Sequence, residues 1–175
     1  MLTRLRYRGL FFASFLLLWL FLACEKEKAE KQIKTKEIAR GHNSLGFNHA
    51  VLANFDSAKK HLDLALKSGL EKFGKNHIVV AGSYNNLGAL HYFKGDLEPA
   101  IDYFKKSLQI RRQVLGEEHP EVAHSYSNIG MIYYRSIGDY DLALEYFKRA
   151  LALQEKLPKR VPAEEASIHN NLGVV

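Results

Sequence analysis

An all-α solenoid of stacked antiparallel helical hairpins is predicted by three features of the sequence. The block Asn43-Ser44-Leu45-Gly46 returns as Asn85-Asn86-Leu87-Gly88, Ser127-Asn128-Ile129-Gly130 and Asn170-Asn171-Leu172-Gly173, with glycine spacings of 42, 42 and 43 residues. Ala58, Ala100 and Ala143 recur in step, each followed by a large side chain (Leu62, Phe104, Phe147) and then by a small one (Ala65, Ser107, Ala150). Turn formers separate the two halves of each unit: Asn54, Lys94-Gly95-Asp96 and Gly138-Asp139. Small residues at matched places let two helices approach, and the large one fills the groove beside them. One hairpin cannot bury its own apolar face, so such units stack and share a core, and three or more are needed.

Taken in chain order, the first element is not part of that array. Arg4, Arg6 and Arg8 precede an uncharged stretch from Gly9 to Ala23, followed at once by Cys24. This is a basic region, an apolar region and a small residue before a cut, the pattern of an export signal. As a helix the 15 uncharged residues would span roughly 22 Å, short of a hydrocarbon core of roughly 30 Å. Residues 1–23 are therefore expected to be a signal. The end of it, Phe21-Leu22-Ala23-Cys24, resembles the lipobox of bacterial lipoproteins, although Phe21 stands where Leu is usual. That resemblance implies acylation of the Cys24 thiol and a lipid anchor in the cell envelope, on the periplasmic or outer-membrane side. Residues 24–38 follow as a mixed-charge run, expected to be a solvated tether or a frayed helix lead-in.

The repeat domain is expected over 39–175, with repeats at about 39–80, 81–122 and 123–165 and a partial one at 166–175. Gly95 and Gly138 suit left-handed helix ends, and Asn54, Asp96 and Asp139 are placed to cap the helices that follow. Pro99 falls in a first turn, where its missing N–H costs little. The one extra residue of the last interval is assigned to the turn around Arg135-Ser136-Ile137. Gly46, Gly88, Gly130 and Gly173 are expected to permit close helix contact. The apolar ending Leu172-Gly173-Val174-Val175, on a helix starting near Glu164, lacks a hairpin partner, so an incomplete chain or docking on another body is expected there.

Charge and composition exclude several function classes. Net charge is +6, three of the basic residues lie in the N-terminal segment, and acidic residues are interleaved elsewhere. No continuous basic stripe remains to track a phosphate backbone, so nucleic acid is not expected as a partner. The single cysteine allows no intrachain disulfide and no cysteine-based zinc site. Eight histidines are present without an HExxH motif. His49, His91 and Tyr133 share one repeat register, which reads as a packing position rather than a ligand set. No GxSxG motif, phosphate-binding glycine loop or paired-carboxylate constellation of a catalytic site is present, so neither an enzyme nor a cofactor or metal is expected.

The Leu-Gly pair, the recurring Ala and the aromatic four residues after it resemble the tetratricopeptide repeat, over residues 39 to 175. The 42-residue period, and the connector Leu115-Gly116-Glu117-Glu118-His119-Pro120 with its looser copy Phe73-Gly74-Lys75-Asn76-His77-Ile78, resemble the repeats of kinesin light chains and their bacterial relatives. The resemblance implies a right-handed superhelix whose first helices line a concave face, and a protein or peptide partner. It also bears on the asparagines. Asn is a mediocre helix former, so its recurrence within helices needs a reason. In this family an Asn matching Asn86 often holds the backbone of an extended peptide, since an amide both donates and accepts; the alternative is a bond to the neighbouring helix. The implied peptide-binding set is Asn43, Asn85, Asn86, Tyr92, Asn128, Met131, Tyr134 and Asn171. A structural role, with self-association through the open repeat end, is the alternative function.

Overall fold

The computed structural model describes residues 2–156, with side chains from residue 21 onward. Asn171, Gly173, the partial repeat at 166–175, the helix expected from Glu164 and the apolar ending lie outside the described residues. The chain divides after Glu37 into two units. Every described helix is α-helical apart from one π-helical turn, in the order α1 (Leu2–Val51), α2 (Phe55–Phe73), α3 (Ile78–Lys94), α4 (Leu97–Leu115), α5 (Pro120–Ile132), the π turn (Tyr133–Ile137) and α6 (Tyr140–Glu155).

In the first unit the charged run is not a loose tether but part of α1. Its Glu, Lys, Ala and Gln are good helix formers, and opposite charges fall one turn apart, as in Glu25–Lys28 at 2.9 Å and Lys26–Glu30 at 4.0 Å. Residues 25–34 are exposed throughout. Among the described residues no helix is long and apolar enough to cross a membrane.

In the second unit the end of α1 pairs with α2, α3 with α4, and α5 with α6, giving three antiparallel hairpins in which α2 also packs on α3 and α4 on α5. Since α3 begins at Ile78 and α5 at Pro120, the expected repeat boundaries at 80/81 and 122/123 fall inside first helices.

The periodic glycines do what close packing demands. A Cβ on Gly46 would lie 2.6 Å from the Leu62 side chain, on Gly88 3.0 Å from the Phe104 ring, and on Gly130 2.9 Å from the Phe147 ring. The large residue of each second helix thus seats against the glycine of its own first helix. Ala58, Ala100 and Ala143, with Ala65, Ser107 and Ala150, are fully buried beside them. Ser107 satisfies its hydroxyl by donating to the Ala81 carbonyl at 2.8 Å.

A second register of rings runs alongside. His49 stacks on His61 at 5.6 Å, His91 on Tyr103 at 5.3 Å and Tyr133 on Tyr146 at 5.6 Å. Each pair joins the two helices of one hairpin, so the shared His, His, Tyr register is a packing position, as expected. Between hairpins, buried Arg111 reaches from α4 to the start of α5, where it meets Glu121 at 2.7 Å and Ser125 Oγ at 2.7 Å.

The turns depart from expectation in three places. Asp139 caps α6 by accepting from the Leu142 N–H at 3.0 Å, but Asn54 and Asp96 make no side-chain cap bond. The Asp96 carboxylate is taken instead by His91 at 3.1 Å and Lys94 at 3.2 Å, which hold its pKa below the usual carboxylate value. The caps that sequence reading missed are His77 and His119, whose Nδ1 atoms accept from the N–H of Val79 at 3.2 Å and of Glu121 at 3.1 Å. The extra residue of the third repeat does not widen a turn. It is absorbed within the helix as the π turn Tyr133–Ile137, closed by Gly138 N–H donating to the Tyr133 carbonyl at 2.8 Å. The helix ends at Gly95 and Gly138 are left-handed, with φ of 85° and 78°. Ala53, at the equivalent place in the first hairpin, holds φ 57° without being glycine.

Candidate functional site

The first helices of the three hairpins share one face, and on it lies a cavity of about 330 Å³ lined by Phe47, Asn85, Ala89, Tyr92, Phe104, Asn128, Met131 and Ile132. Asn85, Ala89 and Tyr92 are spaced i, i+4 and i+7 along α3, so the helical period turns all three to the same side. Asn128 and Met131 follow from α5, and Phe47 from the end of α1. Phe104 reaches the cavity from α4, the ring that also fills the place beside Gly88.

The lining is apolar except for two carboxamides and the Tyr92 hydroxyl, and no charged side chain contributes to it. The two amides meet: Asn128 Nδ2 donates to Asn85 Oδ1 at 3.2 Å. Each amide has two N–H donors and two acceptor lone pairs, so both keep capacity for a ligand backbone after making this bond. A second cavity, of about 430 Å³, is larger but is lined by Gln109, Arg112, Gln113 and Glu117. All four are exposed, and Arg112 and Glu117 pair with one another. It offers solvated side chains rather than a preformed surface.

The predicted set therefore divides. Asn85, Tyr92, Asn128 and Met131 come together at the first cavity. Asn86 and Asn43 do not line it. Asn86 donates to the Asn43 backbone carbonyl at 3.2 Å and accepts from Asn85 at 3.4 Å, while Asn43 donates to Ser83 Oγ at 3.1 Å. These amides tie α3 to α1. Tyr134 begins beyond α5 in the π turn, with its ring 5.9 Å from Tyr140, and is outside the cavity lining. Asn171 lies outside the described residues. Cys24 is a free, exposed thiol.

Sequence reading missed Phe47 and Ala89. Their signal was available, because Phe47, Ala89 and Met131 stand one period apart in a single register. The structure also gathers histidines that are distant in sequence. His42 Nδ1 lies 3.1 Å from His61 Nδ1, with His42 and His49 both stacked on the His61 ring.

Curated proteins gave no significant sequence match. Among solved structures, BtubC (BKLC) from P. vanneervenii aligns with a TM-score of 0.71 at 27% identity, over 86% of this chain and 63% of that one. This chain thus spans less than two thirds of that relative. A P. anserina putative kinesin light chain with nearly identical TPR-like repeats aligns with a TM-score of 0.69 at 16% identity, over 80% of this chain and 65% of the other. The N-terminal domain of stress-induced protein-1 (STI-1) from C. elegans aligns at 0.55 and 20% identity, over 78% and 96%. At such low identities the last two show the fold alone. The tetratricopeptide repeat family model matches residues 37–113 and again 80–156, in the period and register described above, and the chain belongs to the tetratricopeptide repeat family.

Proposed function

We propose that this chain is a membrane-tethered interaction scaffold that holds an extended peptide segment of a partner protein across the first-helix face of its repeats. The observation that carries the reading is the Asn85–Asn128 amide pair within a mainly apolar cavity lined from three successive first helices and by Phe104 of α4. An extended chain presents backbone donors and acceptors at regular intervals and side chains between them. Amides from neighbouring repeats suit the backbone, and the apolar wall suits a side chain. Stacked repeats supply such a surface because the small rotation between neighbours makes one side of the array concave. The tether is the lipid-modified Cys24, supported by the basic and apolar segment ending in Ala23-Cys24 and by the exposure of the thiol. Two acyl chains give stable anchoring where one does not, since each buried methylene adds about 0.8 kcal/mol.

A photo-crosslinking residue placed at Met131 in the native cell envelope tests the binding face, with Lys148 on the exposed side of α6 as the control position. Adducts to one recurring partner segment from Met131 and not from Lys148 are expected. Adducts confined to Lys148, or only to other copies of this chain, would overturn the reading in favour of a structural, self-associating role. For the tether, metabolic fatty-acid labelling should mark the wild type and spare Cys24→Ser; equal labelling would remove the anchor.

A further inference from the structure

We propose that Ala89 is a specificity notch, and that the partner segment inserts one uncharged, apolar side chain of leucine, methionine or phenylalanine size at that point. The inference rests on the peptide-binding reading above and goes further in naming what the peptide must carry.

The register of the repeats makes the case. Phe47, Ala89 and Met131 occupy the same place in successive hairpins, and all three line the one cavity. Two large side chains therefore flank a methyl group, and the missing bulk at the middle helix is what opens the space. Had the middle helix carried a side chain like its neighbours, the row would form a continuous ridge. Tyr92 closes the notch one turn further along α3, while Asn85 and Asn128 stand on its other side.

Size and chemistry agree on the occupant. A cavity of about 330 Å³ sits at the low end of the roughly 300–1,000 Å³ range of ligand sites, fit for a side chain with its adjoining backbone. The Met131 thioether, the three rings of Phe47, Tyr92 and Phe104 and the Ala89 methyl group contact apolar matter well. A charged side chain would lose its hydration there with no counter-charge in the lining, a cost that excludes it. The two amides, which lie beside the notch rather than within a charged cluster, orient the backbone and leave the choice of side chain to the apolar wall.

The test selects a random nonapeptide phage library on the full chain in detergent micelles. Recovered peptides are expected to share one apolar position and to carry no fixed charge there. Ala89→Met copies the residue of the next repeat and keeps a good helix former. It should weaken the selected peptides about tenfold to a hundredfold, the equivalent of burying one such side chain, with unchanged circular dichroism. Met131→Ala widens the same notch and should move the selected residue toward tryptophan, a readout that stands even if Ala89→Met fails to fold. Peptides that bind Ala89→Met undiminished, or that select a charged residue at the shared position, or whose selected residue is unmoved by Met131→Ala, would overturn the notch and leave peptide binding intact. Failure to recover any peptide would overturn both.

Discussion

Asn128 of α5 donates its side-chain amide to Asn85 Oδ1 of α3 at 3.2 Å, joining two neighbouring repeats at the candidate site. The bond is half-buried, so the amides are structural as well as available to a ligand. Replacing either Asn by Ala should lower stability by about 0.5–1.5 kcal/mol, and the double variant should cost less than the sum because the second change has no bond left to break. A urea-denaturation double-mutant cycle measures this. Additive losses would mean that the bond between the two amides contributes nothing to stability.

The periodic glycines Gly46, Gly88 and Gly130 are not equivalent to other glycines in the helices. A Cβ on Gly130 would lie 2.9 Å from the ring of fully buried Phe147 and 3.1 Å from Tyr146 Cβ, whereas one on Gly41 would meet nothing within 4 Å. Alanine is the better helix former by about 1 kcal/mol, but overpacking a core costs about 1–3 kcal/mol. Gly130→Ala should therefore lower the melting temperature and Gly41→Ala should raise it slightly. Thermal melts of the two single variants decide the point, and a rise in both would show that Phe147 yields without strain.

Ala53 stands where Gly95 and Gly138 stand in the later hairpins, yet it holds φ 57°. Its N–H donates to the Ala50 carbonyl at 3.1 Å while Asn54 N–H donates to His49 at 2.8 Å, the same pair of bonds that Gly95 and Asp96 make to Tyr92 and His91. A left-handed conformation costs a residue with a Cβ about 1–2 kcal/mol. Ala53→Gly removes that cost at some expense in unfolded-chain entropy, and should stabilise by about 0.5–1 kcal/mol net. Equilibrium unfolding measures it, and a loss of stability would contradict the strain.

The histidine stack makes the first hairpin sensitive to acid. Burial in the hairpin lowers the pKa of His61 below its ordinary value, with the neighbouring His42, His49 and Lys60 acting in the same direction. A base whose pKa is depressed on folding is stabilising above its unfolded pKa, about 6.5, and that stability is lost as the pH falls through the folded value. The melting temperature should hold between pH 8 and about 6.5 and decline below it. In His61→Gln the decline should be smaller. Parallel melts across that range would contradict the assignment if the two proteins lost stability equally.

The parts of this fold that were legible beforehand are those set by repetition and size. A glycine, a small residue and a large one at a constant period can be satisfied together only when two helices touch at the glycine. The contacts of Gly46 with Leu62, Gly88 with Phe104 and Gly130 with Phe147 were implicit in the register, as was the packing role of the His49, His91 and Tyr133 rings. The left-handed ends at Gly95 and Gly138 followed from the absence of a Cβ.

What the tertiary structure decided are choices between partners that local sequence leaves equal. Asp96 has the chemistry of a cap, but His91 and Lys94 lie close enough to claim its carboxylate. His77 and His119 cap their helices because an extended backbone at each turns the ring onto the first free N–H groups. One added residue could have lengthened a loop or widened a helical turn, and the packing of Tyr133 on Tyr146 holds the helix together through the insertion as the π turn. The asparagines show the same division most clearly. An amide on a first helix can face a ligand or a neighbour, and only the spacing of adjacent hairpins assigns Asn86 to the Asn43 carbonyl while bringing Asn85 and Asn128 together at the cavity. The sequence by itself determined the hairpins, their number among the described residues and the face on which they stack, because volume and period admit one solution. Which polar group bonds which, and where an alanine becomes a cavity, depended on distances between helices that no single helix specifies.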